Sequence, residues 1–286
     1  MRNNVLVSTP CNLNDNPTEK KSKLGSLLVK VRSLFPSAPT SRDFNLYKKG
    51  TYRHNRDLLN YRILFPGHFD PLKKYPLVFI LHGSGERGSD NNAQLTNGAS
   101  LFLEEKNRVA FPAIVVFPQC SKDGFWSNVH ITNEANGKEL HTFQIAGEHT
   151  RDMGLLFDAV NDFLTKPYVD KNRVYIGGLS MGGMGVFELL RRKPDTFAAA
   201  FSICGGDNTV NAKAYAKKVP LWIFHGENDT IVPAEHSEAM VSAIRALGGE
   251  PKFTLYKNVG HNSWDNAFAE PDLLPWLFSH SKHSDS

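Results

Sequence analysis

The stretch Val174-Tyr175-Ile176-Gly177-Gly178-Leu179-Ser180-Met181-Gly182-Gly183-Met184-Gly185 constrains the chain more than any other. A β-rich apolar run meets Gly178-Leu179-Ser180-Met181-Gly182, a G-x-S-x-G turn, and a helical pattern follows through Val186, Leu189 and Leu190. Strand, tight turn and helix in that order force the central serine into a strained backbone with φ above zero. Glycines must flank it, because a Cβ at either place would crowd the bend. The Ser180 hydroxyl is then held out over the end of a sheet. The backbone N–H of Met181, at the helix start, faces whatever that hydroxyl attacks.

A sheet is expected around this turn. Residues 77–81 and 113–117 are continuous β-branched and apolar runs, which suit strands buried on both faces. Residues 44–53 and 60–66 read as a strand pair, and residues 173–178, 197–204, 220–225 and 252–256 as further strands. Between them, Met153, Leu156, Val160, Phe163 and Leu164 recur at helical spacing, and helices are expected over 237–247 and near 273–280. Strands alternating with helices imply a largely parallel sheet with right-handed crossovers. Residues 121–147 carry no apolar period and are expected to form a long loop, functional or mobile.

Composition enters in three places. A chain of 286 residues, 41% hydrophobic and 22% charged, can form one α/β domain with a full core. No apolar run approaches the roughly 18 residues of a membrane span. The net charge of +4 is uneven: residues 1–58 hold 11 Lys or Arg against 4 Asp or Glu, so the remainder is mildly acidic. A body of that charge gives no footprint for nucleic acid. Residues 1–43 therefore read as a basic arm and 44–286 as the catalytic domain. Within the arm, Leu24, Leu27, Leu28, Val31, Leu34 and Phe35 suggest a helix docked on the body, with contact to a membrane surface as the alternative. No signal-peptide pattern is present, which points to the cytoplasm. Cys11, Cys120 and Cys204 make no disulfide framework, and Cys120 and Cys204 are expected to lie on strands separated by two others.

Ligands of such sheets bind past the carboxyl ends of the strands. Those places hold the glycine-rich loop 82–88, Ser180, Asp229 after Phe224-His225-Gly226, and His261 after Tyr256. A serine hydroxyl needs a base to attack an acyl carbon; His261 can take its proton and Asp229 can orient the imidazole. Glu227 and Asp265 are rival acids, but Gly226 and the following Ile231-Val232-Pro233 place Asp229 in the turn after the strand. The developing oxyanion needs two N–H donors, one from Met181 and one from the 83–85 turn. The eleven histidines show no ligand spacing for a metal, and no cofactor is expected. Trp126, in Gly124-Phe125-Trp126-Ser127, either stacks on a substrate or packs the loop onto the body.

Leu81-His82-Gly83-Ser84-Gly85-Glu86-Arg87-Gly88-Ser89-Asp90-Asn91 resembles the oxyanion loop of a group of predicted esterases, and the elbow, His225-Gly226, Asp229, Val232-Pro233 and Gly260-His261 match it too. That group lies among α/β-hydrolases near feruloyl and acetylxylan esterases, polyhydroxybutyrate depolymerases and dienelactone hydrolases, and some members are labelled predicted peptidases. The resemblance covers about residues 58–280. It implies an α/β-hydrolase fold, a mostly parallel eight-stranded sheet with helices on both faces. It also implies Ser180, Asp229 and His261 as the triad and Ser84 and Met181 as oxyanion donors. The expected activity is that of a serine carboxylesterase on a small-molecule or polymer-borne ester, with acyl esters of carbohydrates or aryl acids as candidates. A peptidase or amidase, a polyester depolymerase, and a catalytically silent binding protein are the alternatives.

Overall fold

All seven residues of Tyr75–Leu81 are buried, and their side chains alternate between two layers. Leu77, Phe79 and Leu81 pack with Met153, Leu156, Val186 and Leu189, whereas Val78 and Ile80 pack with Ala99, Phe102, Leu273 and Leu277. A strand with period-two side chains and apolar groups on both sides needs helices above and below. Each such side chain, fully buried, contributes roughly 1.5–3 kcal/mol.

The computed structural model describes residues 43–133, 139–145 and 147–282. Apart from Asp43, the basic arm and its expected helix lie outside the described residues. The main sheet contains β1 (Lys48–His54), β2 (Asp57–Leu64), β3 (Tyr75–Leu81), β4 (Ile114–Gln119), β7 (Val169–Leu179), β8 (Ala199–Ile203), β9 (Leu221–Gly226) and β10 (Lys252–Tyr256). Between β4 and β7 the chain forms β5 (Val129–Asn133) and β6 (Glu139–Phe143). The main sheet is eight-stranded, in the order β1-β2-β4-β3-β7-β8-β9-β10. β1 and β2 are antiparallel, β2 is antiparallel to β4, and β4, β3, β7, β8, β9 and β10 run parallel.

One face is covered by α3 (Arg151–Leu164), α4 (Met181–Arg192) and α5 (Glu235–Ala246). The other carries α1 (Ala99–Leu103), α6 (Trp264–Ala269) and α7 (Leu273–Ser279), while α2 (Glu105–Ala110) follows α1. The fold is that of an α/β-hydrolase. No helix among the described residues is long and apolar enough to cross a membrane. Cys120 and Cys204 are both free, and β3 and β7 lie between their strands.

One expectation changes. The segment read as a long loop contains an antiparallel hairpin, β5–β6, outside the main sheet. Its sequence hides the alternation because the row turned toward the protein includes His141 beside Val129 and Phe143, while His130, Thr132, Leu140 and Thr142 are exposed. A polar residue on the inner row cancels the period-two signal.

The chain passes from β3 to β4 on one side and then to β7 on the other. Such a reversal opens a crevice at the carboxyl ends of β3 and β7. The loop after β3 and the turn after β7 both end there.

Candidate active site

Ser180 joins β7 to α4 with φ 52° and ψ −120°. A Cβ on Gly178 would meet the Gly182 carbonyl, and one on Gly182 would meet the carbonyl of Leu81. Both neighbours are backbone and cannot step aside, so the two positions require glycine. The Ser180 N–H is fixed on the Ile203 carbonyl at 2.8 Å. The side chain sits at the crevice with little exposure.

Asp229 and His261 arrive from the far half of the sheet. The Glu227 N–H donates to Tyr256 O and the Asn228 N–H to Val259 O, both at 2.9 Å, which laces the turn after β9 to the loop after β10. A Cβ on Gly226 would collide with the Gly260 carbonyl. The result is a chain of contacts: Ser180 Oγ lies 2.9 Å from His261 Nε2, and His261 Nδ1 lies 2.7 Å from Asp229 Oδ2. The rival acids point elsewhere. Glu227 accepts from the Asn258 N–H at 3.3 Å, and Asp265 from Asn262 at 3.4 Å. The His261 ring rests edge-on against Trp264, with centroids 5.3 Å apart.

Asp229 is fully buried as a side chain. Burial alone would raise its carboxyl. Hydrogen bonds from His225 and His261 and the backbone N–H of Val232 outweigh that and hold it below the usual carboxylate range. The buried acid is therefore an anion next to His261. Such an anion fixes the imidazole so that Nδ1 carries a proton and Nε2 is free to accept one.

Met181 is the first residue of α4, and Ser84 is the first of a short 3₁₀ turn, Ser84–Glu86. The first N–H groups of a helix have no acceptor within it. Both residues line the same cleft of about 400 Å³ as Ser180, together with Arg87, Phe125, Glu139, His141, Met184 and Val232. A larger cavity of about 730 Å³ opens at the amino ends of β8, β9 and β10, beside Lys217 and Lys282. None of Ser180, Asp229 and His261 lines it, so chemistry rather than size selects the smaller cleft. Cys204, Asp229 and His261 bring their donor atoms within 4.8 Å of one another. As a metal site that set is poor: Asp229 is engaged by His261, and burial pushes the Cys204 thiol up.

Trp126 corrects an expectation. The ring is completely buried against His82 and Gly185, and offers no face to a substrate. Its neighbours Phe125 and Ser127 line the cleft instead. The Thr150 hydroxyl donates to the Phe125 carbonyl at 2.6 Å, and Asp152 accepts from the Ser121 N–H at 2.8 Å, so the start of α3 holds this segment in place.

Two residues gain roles that sequence reasoning missed. His82 Nε2 accepts from the Cys120 N–H at 2.9 Å, and its Nδ1 donates to the Gly83 carbonyl at 2.6 Å. Burial pulls this histidine down to about 4, so it is neutral and has one proton to give. Gln119 donates to Glu86 O and Asp90 Oδ1 and accepts from the Asn91 N–H. Together they fasten the glycine-rich loop that carries Ser84. The available signal was a polar residue ending an otherwise apolar strand, at Gln119 for β4 and just past Leu81 for β3.

The chain matches the Dienelactone hydrolase family over residues 122–272. It is 26% identical over 170 residues to the bifunctional acetylxylan esterase/xylanase XynS20E of Neocallimastix patriciarum, covering 59% of this chain and 22% of that protein. It is 33% identical over 130 residues to a poly(3-hydroxybutyrate) depolymerase of Ralstonia pickettii, covering 45% of this chain and 25% of that one. The chain thus spans a quarter or less of these two relatives. A crystal structure of a thermostable esterase superposes with a TM-score of 0.75 at 30% identity, over 84% of this chain and 64% of the other. With a family match over more than half its length and this order of strands, the chain belongs to the dienelactone hydrolase family of α/β-hydrolases.

Proposed function

We propose that this protein is a serine carboxylesterase. The observation that carries the reading is the contact chain Ser180–His261–Asp229, anchored on a serine with φ 52° between strand and helix. Ser180 Oγ attacks the ester carbon while its proton passes to His261 Nε2. The N–H groups of Met181 and Ser84 receive the oxyanion; one such donor is worth roughly 2.7–4 kcal/mol of barrier. The C–O bond to the alcohol then breaks, and the alkoxide takes the proton back from Nε2. Water, deprotonated by the same nitrogen, attacks the acyl-enzyme; the bond from the acyl carbon to Ser180 Oγ breaks, Oγ takes the proton from Nε2, and the acid leaves. Asp229 keeps the imidazole oriented and stabilises its cationic form throughout.

Esters with an acyl or alcohol part of mixed polarity fit the cleft best, since Phe125 and Met184 face it together with Asn128 and Glu139. Acyl esters of carbohydrates or aryl acids have that character, and the likeness to an acetylxylan esterase/xylanase supports the carbohydrate case. The test is Ser180→Ala against p-nitrophenyl acetate, methyl ferulate, acetylated xylan and a peptide anilide. Ester turnover should fall by about 10⁶ with the fold intact, the scale seen when a triad serine is removed. Ester turnover within about tenfold of the parent would remove Ser180 from the mechanism.

A further inference from the structure

The oxygen of Asp229 that holds His261 also holds a second histidine. His225, at the end of β9, is completely buried. Its Nε2 lies 3.2 Å from Asp229 Oδ2 and 2.8 Å from the Val232 carbonyl. Both neighbours are acceptors, so Nε2 carries a proton and is shared between them. The other nitrogen, Nδ1, lies 2.7 Å from Ser237 Oγ, on α5. Ser237 Oγ in turn lies 2.9 Å from the Gly205 carbonyl, just past β8. Asp229 Oδ1 is occupied separately, by the N–H groups of Ile231 and Val232, each at 2.9 Å.

We infer that His225 is a positioning residue for the triad: anchored by Ser237, it donates to Asp229 Oδ2 and so sets both the place of the carboxylate and the strength of its grip on His261. The inference rests on the triad reading above. Three features carry it. The contact falls on the working oxygen rather than on Oδ1. His225 and Ser237 are both fully buried, so no water competes for the shared proton. And the anchor comes from a different element, α5, so the ring cannot swing with the turn that carries Asp229.

A donor on Oδ2 withdraws negative charge from the oxygen that His261 uses. Removing it makes the carboxylate more basic and strengthens its hold on protonated His261. The acid limb of kcat/KM must then move to higher pH, while a carboxylate that keeps His261 but is free to turn orients the ring less well and lowers kcat. Among the described residues, His141 from β6, itself beside Glu139, and Cys204 past β8 also act electrostatically on this cluster. All of them remain in every variant, so none produces the difference.

The experiment compares His225→Phe, His225→Gln and Ser237→Ala in the full chain, with p-nitrophenyl acetate across pH 5–9. Ser180→Ala is assayed beside them. For His225→Phe the acid limb should rise by about one pH unit, the scale of one hydrogen bond to a charged group. Its kcat should fall by about tenfold to a hundredfold, with KM within about twofold, as for a misplaced catalytic group. His225→Gln keeps an N–H donor and should recover most of both. Ser237→Ala leaves the imidazole but frees its far end, and should move the limb in the same sense by about 0.3 pH units or more. Should His225→Phe not fold, the limb of Ser237→Ala decides. Limbs that coincide with the parent in every folded variant, with only the melting temperature lowered, overturn the positioning role and leave the triad untouched. Full activity in Ser180→Ala overturns the triad reading and the inference with it.

Discussion

Replacing His82 with leucine isolates what holds the glycine-rich loop that carries Ser84. The side chain is 2% exposed and has both ring nitrogens engaged, one on the Cys120 N–H and one on the Gly83 carbonyl. Leucine fills much of the same space against Trp126 but satisfies neither backbone group. The Cys120 N–H is left without a partner, which costs about 1–3 kcal/mol, whereas the Gly83 carbonyl keeps the Glu86 N–H at 3.4 Å and adds at most about 1 kcal/mol. At roughly 2–4 °C per kcal/mol for a chain somewhat smaller than this one, the melting temperature should fall by about 3–15 °C. The loop is also the support of Ser84, one residue past Gly83. In the proposed mechanism Ser84 is an oxyanion donor, and losing one such donor costs about 10²–10³ in kcat, which bounds the effect from above; a loop that shifts without leaving should cost less. His82→Gln, with a donor and an acceptor of its own, should sit between leucine and the parent. A pH signature separates this from plain loss of packing. The native ring is neutral down to about 4, whereas the unfolded chain takes up the proton in the ordinary histidine range. The unfolded state therefore binds more protons in that window, and the parent loses stability as pH falls through it. His82→Leu should show a flatter profile there. Calorimetry at several pH values and p-nitrophenyl acetate kinetics read all of this. A His82→Leu enzyme that melts within about 2 °C of the parent and keeps kcat within about twofold would refute the reasoning.

Asp207 should give the opposite slope. Burial raises it to about 7 against the opposing hydrogen bonds from Asn211 and Asn208, so the native state keeps a proton that the unfolded chain has lost. Stability should fall as pH rises from the ordinary carboxylate range to about 7, and Asp207→Asn should gain on the parent more at pH 8 than at pH 4 in urea titrations. Equal gains at both pH values would contradict this. Two glycine substitutions should diverge: Gly182→Ala forces a Cβ onto the Leu81 and His82 carbonyls and should abolish activity or soluble yield, whereas Gly85→Ala meets nothing within 4 Å and should melt within about 2 °C of the parent. Equal behaviour of the pair in expression and melting assays would show that the elbow is looser than described.

The central strands were readable because they are buried on both faces. Val78 and Ile80 point to one layer and Leu77, Phe79 and Leu81 to the other, so the run needs no polar face and appears in the sequence as unbroken apolar residues. The elbow was readable because its geometry demands glycine at Gly178 and Gly182. Asp229 stood out over Glu227 and Asp265 because Gly226 before it and Ile231-Val232-Pro233 after it place it in the turn past the strand, at the sheet edge. What could not be read depends on contacts distant in sequence. The partners of His82 and Gln119 are determined by β3 lying beside β4, with the Cys120 N–H 38 positions from His82. The inward turn of Trp126 depends on Gly185 leaving room across the elbow helix. The short α1, α2 and α6, of 5, 6 and 6 residues, complete too few turns to show a period. The β5–β6 hairpin is obscured by His141 on its inner row, and that same residue lines the cleft.

The central claim is that Ser180 is the nucleophile and that His261 activates it. A fluorophosphonate probe tests it directly, since the activated hydroxyl attacks phosphorus, fluoride leaves, and the adduct is stable. Tandem mass spectrometry of the labelled protein should place a single adduct on Ser180. Ser180→Ala should take up none, and His261→Ala should label far more slowly, because a serine without its base is a weak nucleophile. An adduct on another residue with Ser180 unmodified, or labelling of Ser180→Ala at the parent rate, would contradict the account.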